Sequence, residues 1–279
     1  PAQKISFDSL DEVYYKDYMD RYYGPLTSET NKLLDEEKAK YDQLSDNIAY
    51  DMEQGKSESY IEIKYKDELN RQEAFERVTQ KVDYLGTVDG GWLFFEKGYD
   101  ILTDREYPTN RDVPQAFVYI IMLIAMTYGI YGVDFSNSEM RILRTTFYGR
   151  RKLKNIKGIL GLLCTLISFV LVYIVRLVNV LKAYGICGLN APAASIEHLS
   201  RIPQNITVLQ YLFIIMIMRI IGGLIIVKAV FMLFKYLKNS ISVIISAIVI
   251  FIIPLALVAF DIPNAQYILF NPLLLGNIF

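Results

Sequence analysis

The chain is predicted to be mainly α, a polytopic membrane helix bundle with an extracellular α-helical hairpin domain. Three observations predict this. Four apolar runs are long enough to cross a bilayer, a loop of clustered Lys and Arg separates the first two, and most acidic residues precede the first run. Residues 1–113 hold 15 Lys/Arg against 26 Asp/Glu, a balance of −11, whereas residues 114–279 hold 14 against 4, a balance of +10. A near-neutral total thus combines an acidic water-soluble part with an apolar part that keeps its positive charge mainly in loops.

The acidic domain, residues 1–113, opens on Tyr14, Tyr15, Tyr18, Tyr22 and Tyr23 and is broken by Gly24-Pro25. Thr27 is a helix cap with Glu29 in the first turn, where the helix dipole favours an anion. Leu33, Leu34, Tyr41, Leu44, Ile48 and Met52 recur mostly at helical steps, and Gly55 supplies the stop. A second helix begins near Ser57, carries Ile61, Tyr65, Leu69, Phe75, Val78, Val82 and Leu85, and closes at Gly86. The two form an antiparallel hairpin with narrow apolar stripes, so a further surface must cover them. The tyrosine-rich segment and Trp92-Leu93-Phe94-Phe95 are the candidates; packing explains these aromatics, and an exposed aromatic face for a ligand is the alternative.

Residues 105–114 (REYPTNRDVP) form a junction to the transmembrane domain, residues 114–279. Spans are expected over about 116–133, 158–180, 206–234 and 241–260. Between the first two, loop 134–157 carries Arg141, Arg144, Arg150, Arg151, Lys152, Lys154 and Lys157 against Asp134 and Glu139. Clustered cations stay on the cytoplasmic side, which places residues 1–113 outside and fixes an out–in–out–in–out order. Met140, Leu143 and Phe147 follow at steps of three and four, the pattern of a short amphipathic helix beneath the membrane. Segment 261–279, broken by Pro263, Asn264, Asn271, Pro272 and Gly276, is expected to be re-entrant or interfacial. The lack of an initiator Met or leader ahead of an exported domain leads us to expect a further upstream signal or span, and the apolar end suggests sequence beyond it.

Arg219 lies 13 residues into the third span, about 20 Å deep. A cation there must be paired or face a wet route, so either a translocation path or subunit contact, or a structural pairing, explains it. Lys228, nine residues on, points to the opposite face and snorkels inward, as Arg176 snorkels from the outer end of its span.

Chemistry is otherwise sparse. Gly55-Lys56-Ser57 imitates the end of a phosphate loop, but Tyr50 stands where that motif needs glycine. His198 is the single histidine, and the spacing of Cys164 and Cys187 suggests neither a disulfide framework nor a metal site. No catalytic set, cofactor or metal site is expected, nor any nucleic-acid partner; the basic loop would also attract anionic lipid.

Glu139 followed by RILRTTFYGRRKL and then Lys157 resembles the first cytoplasmic loop of the permease subunits of type-two ABC exporters, in particular those of Gram-positive bacteria. There an acidic residue precedes a short coupling helix, a Thr-Thr pair and a Gly-Arg. GPLTSET…LLDEEKAKYD likewise resembles the large extracellular insert of such permeases. The resemblance implies that Glu139, Arg141, Arg144, Thr145, Thr146, Gly149 and Arg150 form or flank the contact with an ATPase, together with Met140, Leu143 and Phe147 of the amphipathic face. Gly149 is expected to end that helix. It implies a multi-pass cell-membrane protein of a Gram-positive bacterium, working with a second permease, identical or related, and two cytoplasmic ABC ATPase subunits that hold ATP and Mg. The family has six spans, so the first and last would lie off the ends of this chain. The chain would not itself be an enzyme. The expected function is outward movement of an amphipathic peptide, lipid or drug. The alternatives are a self-immunity exporter for an antimicrobial peptide and a receptor-like protein whose hairpin binds a ligand without transport.

Overall fold

The computed structural model describes residues 10–103, 112–136, 147–185, 187–237, 239–260, 262–269 and 271–275. It is mainly helical, with 81% helix and 3% strand. The chain divides into two compact units, residues 1–100 with 181–211, and residues 101–180 with 212–279.

In the first unit, helix α1 (Leu10–Arg21) carries the tyrosines, strand β1 (Gly24–Pro25) pairs antiparallel with β2 (Trp92–Leu93), and two long helices lie between them, α2 (Ser28–Glu53) and α3 (Glu58–Leu85). Both long helices are capped by the residues that the sequence singles out. Thr27 Oγ1 accepts from the Thr30 amide at 3.2 Å and Ser57 Oγ from the Tyr60 amide at 3.3 Å. Gly55, at φ 75, takes the left-handed turn between α2 and α3. The helices run antiparallel, with the Tyr41 ring tilted against Phe75 (ring centroids 5.4 Å apart) and Asp51 accepting from Lys64 at 2.7 Å. Their narrow stripes are covered by α1 and β2: Tyr15, Tyr18, Met19, Tyr22, Leu34, Phe75, Val78, Leu85, Leu93 and Phe95 form one buried core. Most of the aromatics are therefore packing residues. Segment 181–211 joins this unit, where Ser195 Oγ accepts from the Trp92 amide and Ala194 O from the Tyr84 hydroxyl. Cys187 is a free thiol that donates to Phe95 O at 3.3 Å.

A charged group lies inside this unit. Glu96 pairs with the buried Lys81 and sits within the fields of Asp100 and His198, which pair with each other at 3.3 Å. Helix α4 (Lys97–Thr103) begins beside it. Burial pushes the Glu96 carboxyl up to about 7, Lys81 opposing and Asp100 reinforcing the shift.

Among the described residues, four helices, lying mainly in the second unit, are long and apolar enough to cross a membrane: 112–131, 152–184, 208–237 and 241–259. They belong to α5 (Asp112–Ser136), a continuous rod from Phe147 to Tyr184, α8 (Val208–Leu237), and a rod from Ser240 to Ala259. The Phe147–Tyr184 rod consists of α6 (Phe147–Phe169), a π-helical turn (Val170–Ile174) and α7 (Val175–Tyr184). The last rod is likewise α9 (Ser240–Ala247), a π turn (Ile248–Ile252) and α10 (Ile253–Ala259). The second π turn ends two residues before Pro254, whose ring would otherwise collide with the carbonyl four residues back. Beyond α10, left-handed Asn264 and Leu269 turn the chain back to a short helix, α11 (Asn271–Leu275). The buried Asn271 amide holds this return by donating to Pro254 O at 2.9 Å and Ala265 O at 2.8 Å.

The core of this unit includes Tyr119, Leu123, Tyr131, Phe169, Tyr173, Ile226, Val230, Phe251 and Leu255. Close approach is set by Gly222 and Gly223 on α8. A Cβ on Gly223 would fall 2.0 Å from the Tyr119 hydroxyl and 2.8 Å from Thr165 Cγ2, and one on Gly222 would lie 3.2 Å from Leu273 Cβ. Apolar side chains such as Val118, Ile121, Leu163, Ile167, Phe213 and Ile217 remain exposed, as expected of surfaces facing lipid.

Two outcomes follow. Gly223→Ala overpacks the helix contact and is expected to cost about 1–3 kcal/mol, seen as a lower Tm. Adding Tyr119→Phe should recover part of the loss, while Gly129→Ala, with open space around its Cβ, should not destabilise. For Glu96, the folded state holds the proton to about pH 7, against an ordinary 4.5. Between those values the folded chain binds more protons than the unfolded one, so stability should fall as pH rises through that window and level off above it. Melting curves of the wild type and Glu96→Gln from pH 4.5 to 8 should show the slope reduced in the variant.

A buried arginine–aspartate–arginine cluster as candidate functional site

Asp112 is the first residue of α5, in the turn where unsatisfied amides and the helix dipole favour an anion. It is 3% exposed. Its Oδ1 accepts from Arg176 Nη1 and its Oδ2 from Arg219 Nη2, each at 2.7 Å. One carboxylate thereby joins three apolar helical rods at one level. Arg176, the second residue after the first π turn, also donates to Gln115 Oε1, and through Nη2 to Ile101 O at 2.7 Å. Arg219 Nε donates to Leu274 O at 3.2 Å, so α11 is tied to the same group. The Arg219 guanidinium lies 4.3 Å from the centroid of the Tyr173 ring, and Tyr173 packs edge-on against Tyr119 with centroids 5.3 Å apart. The Tyr119 hydroxyl in turn reaches toward Arg219 O at 3.4 Å.

This geometry settles how Arg219 is accommodated in the bundle, by a structural pairing. It meets the first residue of α5, at one end of that span, rather than standing alone in the apolar layer. Whether the cluster also lines a path is a matter of function. Arg176 is a correction to the sequence reading. Its head does not extend outward to snorkel; it turns inward to Asp112, because a buried carboxylate with a free oxygen outweighs the short reach to an interface. Lys228 is exposed on the face opposite Arg219, as their spacing requires. Lys157 is buried, with its ammonium 5.0 Å from the Tyr131 ring.

Of the expected coupling residues, Glu139, Met140, Arg141, Leu143, Arg144, Thr145 and Thr146 lie outside the described residues. Phe147, Gly149 and Arg150 fall in the first turn of α6. Gly149 is therefore inside a helix that runs on to Phe169, and does not end one. Asp112 is the member of this candidate site that the sequence pattern does not single out, because it falls within the charged junction. The available signal was the unbalanced Arg219: residues 114–279 contain four acids, and Asp112 directly precedes an apolar run.

A concavity lies in the first unit, a groove of about 270 Å³ between α2 and α3. Tyr41 and Phe75 floor it, and Asp42, Glu76 and Asp83 outnumber Lys38 around it, which suits a cationic amphipathic ligand. Among the described residues no group of three His, Cys, Asp or Glu side chains is placed to hold a metal ion.

Removing the shared anion should be far costlier than removing either cation. Asp112→Asn leaves the buried Arg219 and the half-buried Arg176 without their carboxylate and is expected to cost about 3–5 kcal/mol. Asp112→Leu combined with Arg219→Leu should be less damaging than the sum of the single changes, a coupling that thermal melts of the four-member cycle would measure directly.

No family model, curated protein or solved structure matches this chain.

Proposed function

We propose that the chain is the membrane permease subunit of an ATP-binding-cassette exporter, moving an amphipathic peptide, lipid or drug outward while a separate pair of ATPase subunits hydrolyses ATP. In this reading residues 1–113 face the cell exterior, loop 134–157 docks on the ATPase, and a second permease completes the path. The observation that supports it best is the course of the helices beside the basic loop. α5 leads into the loop from Asp112, and the rod leaving it runs unbroken from Phe147 through Arg176. Both helices that frame the loop thus carry a member of the buried cluster at their far ends. Arg150 and Arg176 are 26 residues apart, about 39 Å along the rod. A push on the loop would act on the Asp112 ion pairs at the opposite end of the bundle, which would serve as a latch on the closed state.

The second reading, a receptor-like protein, is favoured by the acid-rimmed groove between α2 and α3, which would hold a cationic ligand without transport.

Gentle solubilisation and co-purification of the wild type and of Arg144→Glu/Arg150→Glu discriminates the two. An ATPase should accompany the wild type and be lost from the folded variant. If no ATPase accompanies either, the exporter reading fails and the receptor reading takes its place.

A further inference from the structure

Two sequence stripes build the groove of about 270 Å³ in the first unit. Glu76, Gln80 and Asp83 recur on α3 at steps of four and three, and Lys38, Tyr41 and Asp42 lie within one turn of α2, so each set forms one helix face. The floor is apolar. Phe75 is buried, and the Tyr41 hydroxyl is engaged with the Tyr18 hydroxyl of α1, which leaves the Tyr41 ring for the groove. The rim is polar and exposed. Among the described residues the Asp42 and Asp83 carboxylates have no hydrogen bond or ion pair, and Glu76 accepts only from Gln72 Nε2, at 3.3 Å. Acids elsewhere on the hairpin are matched: Asp51 by Lys56 and Lys64, Asp67 by Arg71, and Glu37 by Lys40. Open carboxylates around an aromatic floor select a cation that carries an apolar stem. The volume is below the roughly 300–1,000 Å³ that encloses a drug-sized molecule, so the groove suits side chains of a larger ligand lying across it. Both of its ends are negative. Asp42 and Glu76 each directly follow a member of the Tyr41–Phe75 ring contact, and Asp83 lies seven residues, about 10.5 Å, further along α3 than Glu76. An extended peptide covers that distance in about three residues.

We propose that this groove binds a basic peptide in extended form. One Lys or Arg lies on the Tyr41 and Phe75 rings with its charged head between Asp42 and Glu76, and a second, three residues on, meets Asp83. An anionic ligand would face three carboxylates against one cation, and a wholly apolar one would leave those carboxylates unserved. Lys38 opposes the ligand and lowers its affinity. The proposal rests on the groove that favours the receptor reading, but not on the absence of transport, because an exporter can also capture a substrate there.

The test uses the full chain in an uncharged detergent at low ionic strength, with binding followed by fluorescence anisotropy. The probes are two amidated hexapeptides of identical composition, each with a neutral dye on its N-terminus: Ala-Lys-Leu-Ala-Lys-Ala and Ala-Lys-Lys-Leu-Ala-Ala. The wild type should bind the first, with its lysines three apart, about threefold more tightly than the second, and Asp83→Asn should erase that preference. Asp42→Asn combined with Glu76→Gln should weaken both peptides by about threefold or more, while Lys38→Met should tighten both. These side chains are exposed, so Tm should stay near that of the wild type. Asp46→Asn combined with Glu53→Gln removes two exposed acids outside the groove and should change little. A wild type that binds neither peptide, or both equally, overturns the proposal. So does a control pair that weakens binding as much as the groove pair, since bulk negative charge then explains it. Displacement of the first peptide by an equal concentration of butylammonium assigns the groove to a small organic cation and overturns the peptide. Failure here is separable from failure of the receptor reading: an ATPase in the co-purification with the peptide still bound retires that reading and keeps the site, whereas loss of peptide binding alone retires the site.

Discussion

The bundle depends on a single carboxylate shared by two guanidiniums. At 4 Å and an effective dielectric of about 20, one such pair attracts by about 4 kcal/mol. The same three ions each give up several kcal/mol of hydration when they leave water, and the two guanidiniums repel each other. The net contribution to stability is therefore small, while any arrangement that separates Asp112 from its partners leaves buried charge unmatched. Such a group acts on specificity more than on strength. It sets the register of α5 against α8 and against the Phe147–Tyr184 rod, because sliding α5 by one turn would break both 2.7 Å contacts and sliding either partner would break one.

The surroundings of the cluster are arranged for close approach. Arg219 is followed on α8 by Gly222 and Gly223, which admit Leu273 and the Tyr119 hydroxyl to positions that a side chain would block. Arg219 Nε can then reach Leu274 O at the end of α11, a carbonyl that so short a helix leaves without an internal partner. The apolar return after α10 is thereby given a polar anchor at each end, Asn271 on Pro254 O and Leu274 O on Arg219. Small residues and a buried arginine in one stretch of α8, with an orphan carbonyl of α11, form one packing solution.

The long periodic elements were legible in the sequence because their causes are local. The caps at Thr27 and Ser57, the turn at Gly55 and four apolar runs of bilayer length depend on neighbouring residues, and the structure has the caps, the turn and helices over the four runs at these places. The grouping of segment 181–211 with residues 1–100 was not legible, since it rests on bonds such as Trp92 to Ser195 that span a hundred residues. Asp112 and Arg176 were misread for a related reason. Each sits at a helix end, where exposure is the ordinary outcome for a charged residue, and only the fold reveals that the two ends converge on Arg219. Gly149 failed differently. Glycine permits a stop without requiring one, and the strong apolar helix from Ile156 onward propagates back through it.

If the exporter reading holds, the same geometry limits how the protein could move. An unbroken helix transmits displacement along its axis with little loss, but a π turn is a place where the backbone hydrogen-bond ladder is already disturbed. The turn at Val170–Ile174 lies between the basic end of the rod and Arg176, and it contains Tyr173, the residue whose ring supports Arg219. Tightening that turn to α geometry would rotate Arg176 by most of a residue step relative to Arg150, about 100° per residue, without translating the rod far. Rotation of that size cannot be absorbed while Arg176 Nη1 and Arg219 Nη2 both remain on Asp112. The cluster and the π turn would then be two parts of one switch, in which the ion pairs hold the widened turn in place and their release permits it to close.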